Sequence, residues 1–384
     1  ALAAGLAPQC PTHKGRWLAP YRSRTWRCPA SRTGQTVPSV TLIIVAHNEE
    51  DSIGSKIENI LSLDYPVDRL QVIVVSDGSS DRTCEIVSRY LDRGIKFLAL
   101  PRLGKASGLN AAAERADGEI LVFSDANSMF APDALHQLVV PFADEKVGGV
   151  AGDQRYRQSI SDSGGEGGEC AYWNFDRLLK RWESQAGHVI SATGAIYAIR
   201  RHLFQPVPDG VTDDFVTSTR VILQGHRLVF ADRAVAYEPP ASSSGIEFGR
   251  KVRVMTRGLR GVLTVRQLLN PIRFGFYSVQ LFSHKVLRRL MAVPLIILFV
   301  CSGLLVTDGV GYAIFFGFQS TFYLAAVCGI VAGSREIGRW KVFRFPAYFC
   351  MVNAAALVAL VNTIRGHRID RWEPQRTVDT ATTG

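Results

Sequence analysis

The chain has 384 residues, enough for a core-forming domain and a second element, with 47% hydrophobic and only 20% charged residues. Its formal net charge of +10 is too modest to imply nucleic acid, and none is expected as a partner. The seven cysteines include no Cys-x-x-Cys pair, which argues against a thiolate metal site or a disulfide framework and fits a reducing compartment.

Residues 1–38 read as an irregular basic arm, with neither a signal peptide nor a span expected there. Residues 40–46, VTLIIVA, are apolar on both faces, as in a central parallel strand. Helical spacing follows at Ile53, Ile57, Ile60 and Leu61, then a turn at Asp64-Tyr65-Pro66 and a second strand at 70–75. Ile86, Val87 and Tyr90 mark another helix, and a third strand covers 95–100. An alanine-rich helix over 107–116 leads to a fourth strand at 119–125. The alternation predicts an α/β domain with a mostly parallel sheet. In such sheets ligands bind at the carboxyl ends of the strands, where Asn48, Glu49, Asp77, Lys105 and Asp125 fall. No GxxxxGK[ST] loop and no GxGxxG after the first strand are present, which argues against a nucleotide hydrolase or a dehydrogenase.

Residues 212–215, TDDF, follow a turn-forming Pro206-Val207-Pro208-Asp209-Gly210. An acidic pair at a loop-to-helix junction can simply cap the first turn, whose amides are unpaired. Catalysis is the competing reading. A helix after the 163–168 loop sets Tyr172, Phe175, Leu179 and Trp182 on one face, suited either to a core or to stacking on an acceptor sugar at the membrane surface. Between Ile246 and Arg289 ten basic residues, including Arg250, Arg253, Arg257, Arg260 and Lys285, oppose Glu247 alone, so residues 246–289 read as interfacial helices facing anionic lipid. Apolar runs at about 290–306, 309–331 and 345–362 predict about three transmembrane helices within 290–364, followed by a tail at 365–384. Three crossings put the tail outside, against the positive-inside preference of Arg365, Arg368, Arg371 and Arg376; either the third run re-enters or the tail breaks the rule.

The strings VTLIIVAHNEE, VVSDGSSD (74–81), GKASGLN (104–110), FSDANS (123–128) and TDDF together resemble family 2 glycosyltransferases of the GT-A fold over residues 38–260. Membrane-embedded members include synthases of cellulose, chitin, hyaluronan and poly-N-acetylglucosamine. The resemblance implies a Rossmann-like GT-A domain at 39–245 in an integral protein of the plasma (inner) membrane, its catalytic domain cytoplasmic. It implies a nucleotide-sugar donor, in the first place a UDP-sugar, and an inverting transfer to a growing β-linked glycan, or else one addition to a lipid-linked acceptor. An inactive nucleotide-sugar-binding scaffold is the rival of another class. Ala46, Asn48 and Glu49 would line the base end of the nucleotide, Asp77 would contact uracil or ribose, and Lys105 would sit near the diphosphate. Asp125 and Asn127 occupy the DxD place, where a divalent cation (Mg²⁺ or Mn²⁺) would be held. Asp214 matches the general base and Asp213 its acidic neighbour; Gly194, Ala195 and Trp182 would lie on the acceptor side. In the Q-x-x-R-W region Arg250 stands for the Gln, Arg253 keeps the Arg, and Val254 replaces the Trp.

Overall fold

The computed structural model describes residues 37–156, 166–239, 247–333 and 340–367, with the backbone alone at 166–175 and 247. The expectations for residues 1–36, for the side chains of Tyr172, Phe175 and Glu247, and for Arg368, Arg371 and Arg376 lie outside the described residues.

One eight-stranded sheet runs in the order β3-β2-β1-β4-β7-β6-β8-β5. Its strands are β1 (Val40–Ala46), β2 (Leu70–Asp77), β3 (Ile95–Leu100), β4 (Ile120–Ser124), β5 (Met129–Phe130), β6 (Val147–Tyr156), β7 (Tyr197–Arg200) and β8 (Arg227–Glu238). The β3-β2-β1-β4 half is parallel throughout, as the alternation predicts. Past β4 the sheet becomes mixed: β7 is antiparallel to β4 and β6, β8 is parallel to β6, and β5 closes the edge antiparallel to β8.

β1 is buried at every position because both faces of the sheet are covered. Its side chains alternate between two cores. Leu42 and Ile44 join Ile53, Ile57 and Ile60 of helix α1 (Ile53–Leu61). Ile43 and Val45 join Leu109 and Ala112 of α3 (Lys105–Glu114), with α2 (Thr83–Ser88) between them in the chain. The loop into β4 passes so close to β1 that a Cβ on Gly118 would lie 2.5 Å from the Thr41 nitrogen. This approach lets Gly118 donate to Thr41 Oγ1 at 2.9 Å and sets the height of β4 in the sheet.

Helix α4 (Ala134–Val139) covers the first face, α5 (Glu166–Ala186) runs beside β8, and α6 (Asp213–Leu223) lies in the second core. The basic helix α7 (Glu247–Thr264) packs on α6 and on a long apolar helix near the chain's end. Next come a bent pair, α8 (Phe276–Leu290) and α9 (Ala292–Leu304), meeting at 53°, and two long helices, α10 (Val310–Ala332) and α11 (Lys341–Ile364). The turns of α8 over Phe282–Leu287 are π-helical.

Two of the three expected crossings are single helices, and the third would have to be the bent pair α8–α9 taken as one broken span. Among the described residues only α10 and α11 are long and apolar enough to span a bilayer individually. The 13 residues of α9 make about 20 Å of helix at 1.5 Å per residue, short of a hydrocarbon core of roughly 30 Å. A hydropathy run does not register the break that separates α9 from α8. α10 and α11 pair antiparallel: Phe322 meets Phe345 and Phe349, while Gly329 lies against Phe343. The chain beyond α11 then returns to α7, where Arg260 Nη1 donates to the His367 carbonyl at 3.1 Å. Arg365, two residues before that contact, therefore lies near the basic helix.

Gly118→Ala forces backbone, not a flexible side chain, to move. It is expected to destabilise the chain by about 1–3 kcal/mol, measured as a lowered unfolding midpoint of the detergent-purified protein.

Candidate active site

The carboxyl ends of the parallel strands are cross-tied through their loops. Asn48, two residues past β1, has a φ of 53°, a left-handed conformation that asparagine tolerates better than most residues. There its Oδ1 accepts from Ser80 N at 2.8 Å and its own N–H donates to Ser79 Oγ at 3.1 Å. Glu49 N donates to Thr83 Oγ1 at 2.8 Å, and Ser52 Oγ donates to Glu49 Oε2 at 2.6 Å. Asp77, at the end of β2, is buried, and its Oδ1 accepts from Leu103 N and Gly104 N, each at 2.8 Å. His47 Nδ1 lies 2.7 Å from the Asp77 carbonyl. Three loops are thus held in one arrangement, and the amino end of α3 is aimed across the top of the sheet.

Lys105, the first residue of α3, occupies the centre. Its Nζ lies 2.6 Å from Asp125 Oδ1, just past β4, and 3.2 Å from Asp213 Oδ2, at the start of α6. Burial favours a neutral amine, but the charges of Asp125 and Asp213 outweigh it and hold the ammonium form well above the usual lysine range. Asp213 is buried too, which favours its acid form, yet the charges of Lys105 and Arg257 hold its carboxyl below the usual range. Asp214 behaves oppositely: burial first, then the charge of Asp213, push its carboxyl up to about 6. The two adjacent carboxylates therefore have different proton affinities. Both stand in the first turn of α6, and Phe215 N donates to Asp214 Oδ1 at 2.7 Å. Asp214 thus accepts from one first-turn amide while Asp213 turns to Lys105, and Thr212, the N-cap residue, makes no side-chain cap.

Asp125 keeps open space on its other side. Its side chain is 34% exposed, and a Cβ on Gly194 would sit 2.7 Å from its Oδ2. Asn127 is exposed. Ala46 and Ala195 are buried at strand ends, so their methyl groups face the core. On α7 the structure favours a residue that motif matching passed over. Arg250 is exposed and Arg253 half-buried, whereas Arg257 donates from Nε to the Val211 carbonyl at 2.9 Å and acts on Asp213. Its signal in the sequence was its place on the same helical face as Arg250 and Arg253. Lys285 was likewise passed over; it reaches back from α8 to within 5.4 Å of the Phe215 ring centroid. Among the described residues no cluster of three or more His, Cys, Asp or Glu side chains forms a self-sufficient metal site.

Residues 41–207 match the family Glycosyl transferase family 2. They are a family 2 glycosyltransferase domain. The chain is similar to poly-beta-1,6-N-acetyl-D-glucosamine synthase of Staphylococcus epidermidis, with 24% identity over 84% of this chain and 83% of that protein. It is also similar to a probable glycosyltransferase of Bacillus subtilis, with 29% identity over 53% of this chain and 51% of the relative. A mannosyltransferase from Pyrobaculum calidifontis, solved with GDP-Man and Mn²⁺, superposes with a TM-score of 0.63 at 23% identity, over 86% of this chain and 88% of its own. That likeness covers the mixed sheet and assigns it the GT-A fold. The chain is a glycosyltransferase related in sequence to polysaccharide synthases.

Two basic residues of α5 pair with the sheet: Arg177 with buried Asp153 at 3.0 Å and Arg181 with Asp232 at 2.8 Å. Trp182, 53% exposed, lines a groove of about 290 Å³ with Leu179, Glu183, Phe276 and Val279, between α5 and α8. His188 is held neutral at ordinary pH, its pKa lowered to about 4 by burial and by Arg227, and it packs edge-on against Tyr277.

Gly194→Ala pushes a methyl group into Asp125 Oδ2. It should leave the fold intact while sugar transfer falls about tenfold or more, since sub-ångström misplacement in an active site is costly; initial rates and the unfolding midpoint, measured together, check this.

Proposed function

We propose that this chain is a membrane-bound, inverting, cation-assisted glycosyltransferase that moves a sugar from a UDP-sugar onto a growing β-linked polysaccharide, its catalytic domain on the cytoplasmic face. The observation that carries the reading is the convergence of Lys105, Asp125 and Asp213 beside Asp214, whose carboxyl titrates at about 6. The extended likeness to a poly-beta-1,6-N-acetyl-D-glucosamine synthase supports a polymer product and an N-acetylhexosamine donor.

In this reading the ionised Asp214 accepts the proton of the acceptor hydroxyl as that oxygen bonds to the anomeric carbon. The bond to the diphosphate oxygen breaks on the opposite face, so an α-linked donor gives a β-linked product. A carboxylate with pKa about 6 is largely ionised at neutral pH and still basic enough to take the proton. Lys105 places positive charge where the leaving diphosphate gathers negative charge. The open side of Asp125 and the exposed Asn127 fit a hard cation that takes few protein oxygens and completes its shell with phosphate oxygens and water. That cation, Mg²⁺ or Mn²⁺, would supply charge neutralisation at the leaving group; the mannosyltransferase from Pyrobaculum calidifontis was solved with Mn²⁺. Asp77 offers Oδ2 to the base or ribose, because Oδ1 already serves two main-chain amides. Asn48 and Glu49 hold the loop above it.

A second reading, a single addition to a lipid-linked acceptor, is favoured by Val254, an exposed aliphatic side chain at the aromatic position of the processive motif. Product length decides between them. Membranes fed radiolabelled UDP-sugars should give a ladder or high polymer, and discrete single additions would replace the polymer reading. A panel of UDP-sugars set against GDP-mannose, scored by nucleoside diphosphate release with Mg²⁺ or Mn²⁺, identifies the donor; release from GDP-mannose alone would overturn the UDP assignment.

Asp214→Asn should lower kcat by about 10²–10⁴-fold while nucleotide binding persists. The log of kcat/KM should fall as pH drops through about 6, where Asp214 gains its proton. Asp213→Asn removes the neighbouring negative charge, so the acidic limb of that profile should move to lower pH.

A further inference from the structure

Asp125, Ala126, Asn127 and Ser128 form a turn closed by Ser128 N donating to the Asp125 carbonyl at 3.3 Å. Ser128, its last residue, is fully buried and is gripped from two directions. Lys56 Nζ donates to the Ser128 carbonyl, and Ser128 Oγ donates to Glu238 Oε1 at 2.5 Å. Glu238 is steadied in turn by Gln154 Nε2, 2.6 Å from its Oε2. Two residues on, Asn59 bonds both ways to the main chain of Phe130: Nδ2 donates to the carbonyl at 3.0 Å, and Oδ1 accepts from the amide at 2.7 Å.

Lys56 and Asn59 are three apart on α1 and therefore share a face. Lys56 interrupts the apolar stripe of Ile53, Ile57 and Ile60 and is 0% exposed. Its Nζ lies 3.9 Å from the Phe130 ring centroid. Burying a lysine head is expensive unless it gains compensating partners. Its partner here is a main-chain carbonyl, so the contact specifies a backbone position whatever the side chain at 128.

We propose that Lys56 and Asn59 are positioning residues for the cation-holding turn: α1 clamps the outgoing arm of Asp125–Ser128 and thereby fixes where Asp125 and Asn127 present their oxygens. This rests on the reading that this turn holds the divalent cation. The same helix begins just after Asn48 and Glu49, so the clamp also ties the loop assigned to the nucleotide to the turn assigned to its cation. Residues that orient first ligands, without touching the metal, typically govern affinity by about 10–100-fold.

The test is direct Mn²⁺ binding to the detergent-purified full chain with UDP present, followed by loss of the free-Mn²⁺ electron paramagnetic resonance signal, alongside the unfolding midpoint. Lys56→Met and Asn59→Ala should each weaken Mn²⁺ binding by about 10–100-fold, with kcat recovering at saturating Mn²⁺. A purely structural role would lower the midpoint and leave Mn²⁺ affinity unmoved. Asp125→Asn separates the two levels of the argument. If it binds Mn²⁺ as the wild type does, the cation assignment itself fails. If it loses Mn²⁺ while folded Lys56→Met and Asn59→Ala bind normally, the clamp is overturned and the cation assignment stands. Should Lys56→Met not fold, Asn59→Ala decides alone, and normal binding there overturns the clamp.

Discussion

The arrangement above the sheet depends on one cation shared between two carboxylates. An ammonium group that is only 13% exposed would be costly if isolated, and Asp125 and Asp213 are what make its charged form favourable. The three residues come from the start of α3, the turn after β4 and the start of α6, the last of these more than eighty positions further along the chain. Removing Lys105 leaves the two carboxylates without their shared counter-ion, so the contact constrains the active site and the packing of those elements together. It also sets the contrast between the neighbouring acids. Asp213 spends its charge on Lys105 and Arg257, and that retained charge helps keep the proton affinity of Asp214 high.

Much of the parallel half was legible because its strands are short, apolar on both faces and punctuated by polar ends. VTLIIVA and LQVIVV admit few other structures in an alternating chain. The mixed half was not. β6, VGGVAGDQRY, mixes glycine with polar residues, and β8 pairs with it through register shifts, so neither shows a clean period of two. β5 is two residues long and exists only because β8 lies beside it. The bend in the membrane half was hidden for a related reason: composition reports how apolar a run is, but not where it breaks.

Among site residues, the acidic and basic positions at strand ends were visible because polar groups terminating apolar strands stand out. Their pairing was not visible: nothing local says that Lys105 meets Asp213, more than a hundred positions away. Lys56 did leave a trace, as a lysine inside an otherwise isoleucine-lined helical face, yet the trace does not name the carbonyl it serves. Arg257 lies one helical turn beyond the arginine that motif matching selects, and only the docking of α7 on α6 distinguishes the two.

Helix α7 has two neighbours of different character. Through Arg257 it touches the loop before Asp213 and modulates that carboxylate; through Lys251, whose Nζ lies 3.1 Å from Tyr348 Oη, it rests on the second long apolar helix. The cluster around Asp213 and the apolar hairpin consequently share one helix. A chain cut before Lys341 would retain every side chain discussed for chemistry, yet lack the surface against which that helix is seated. The seat of Arg257 beside Asp213 is thereby tied to the packing of the apolar hairpin.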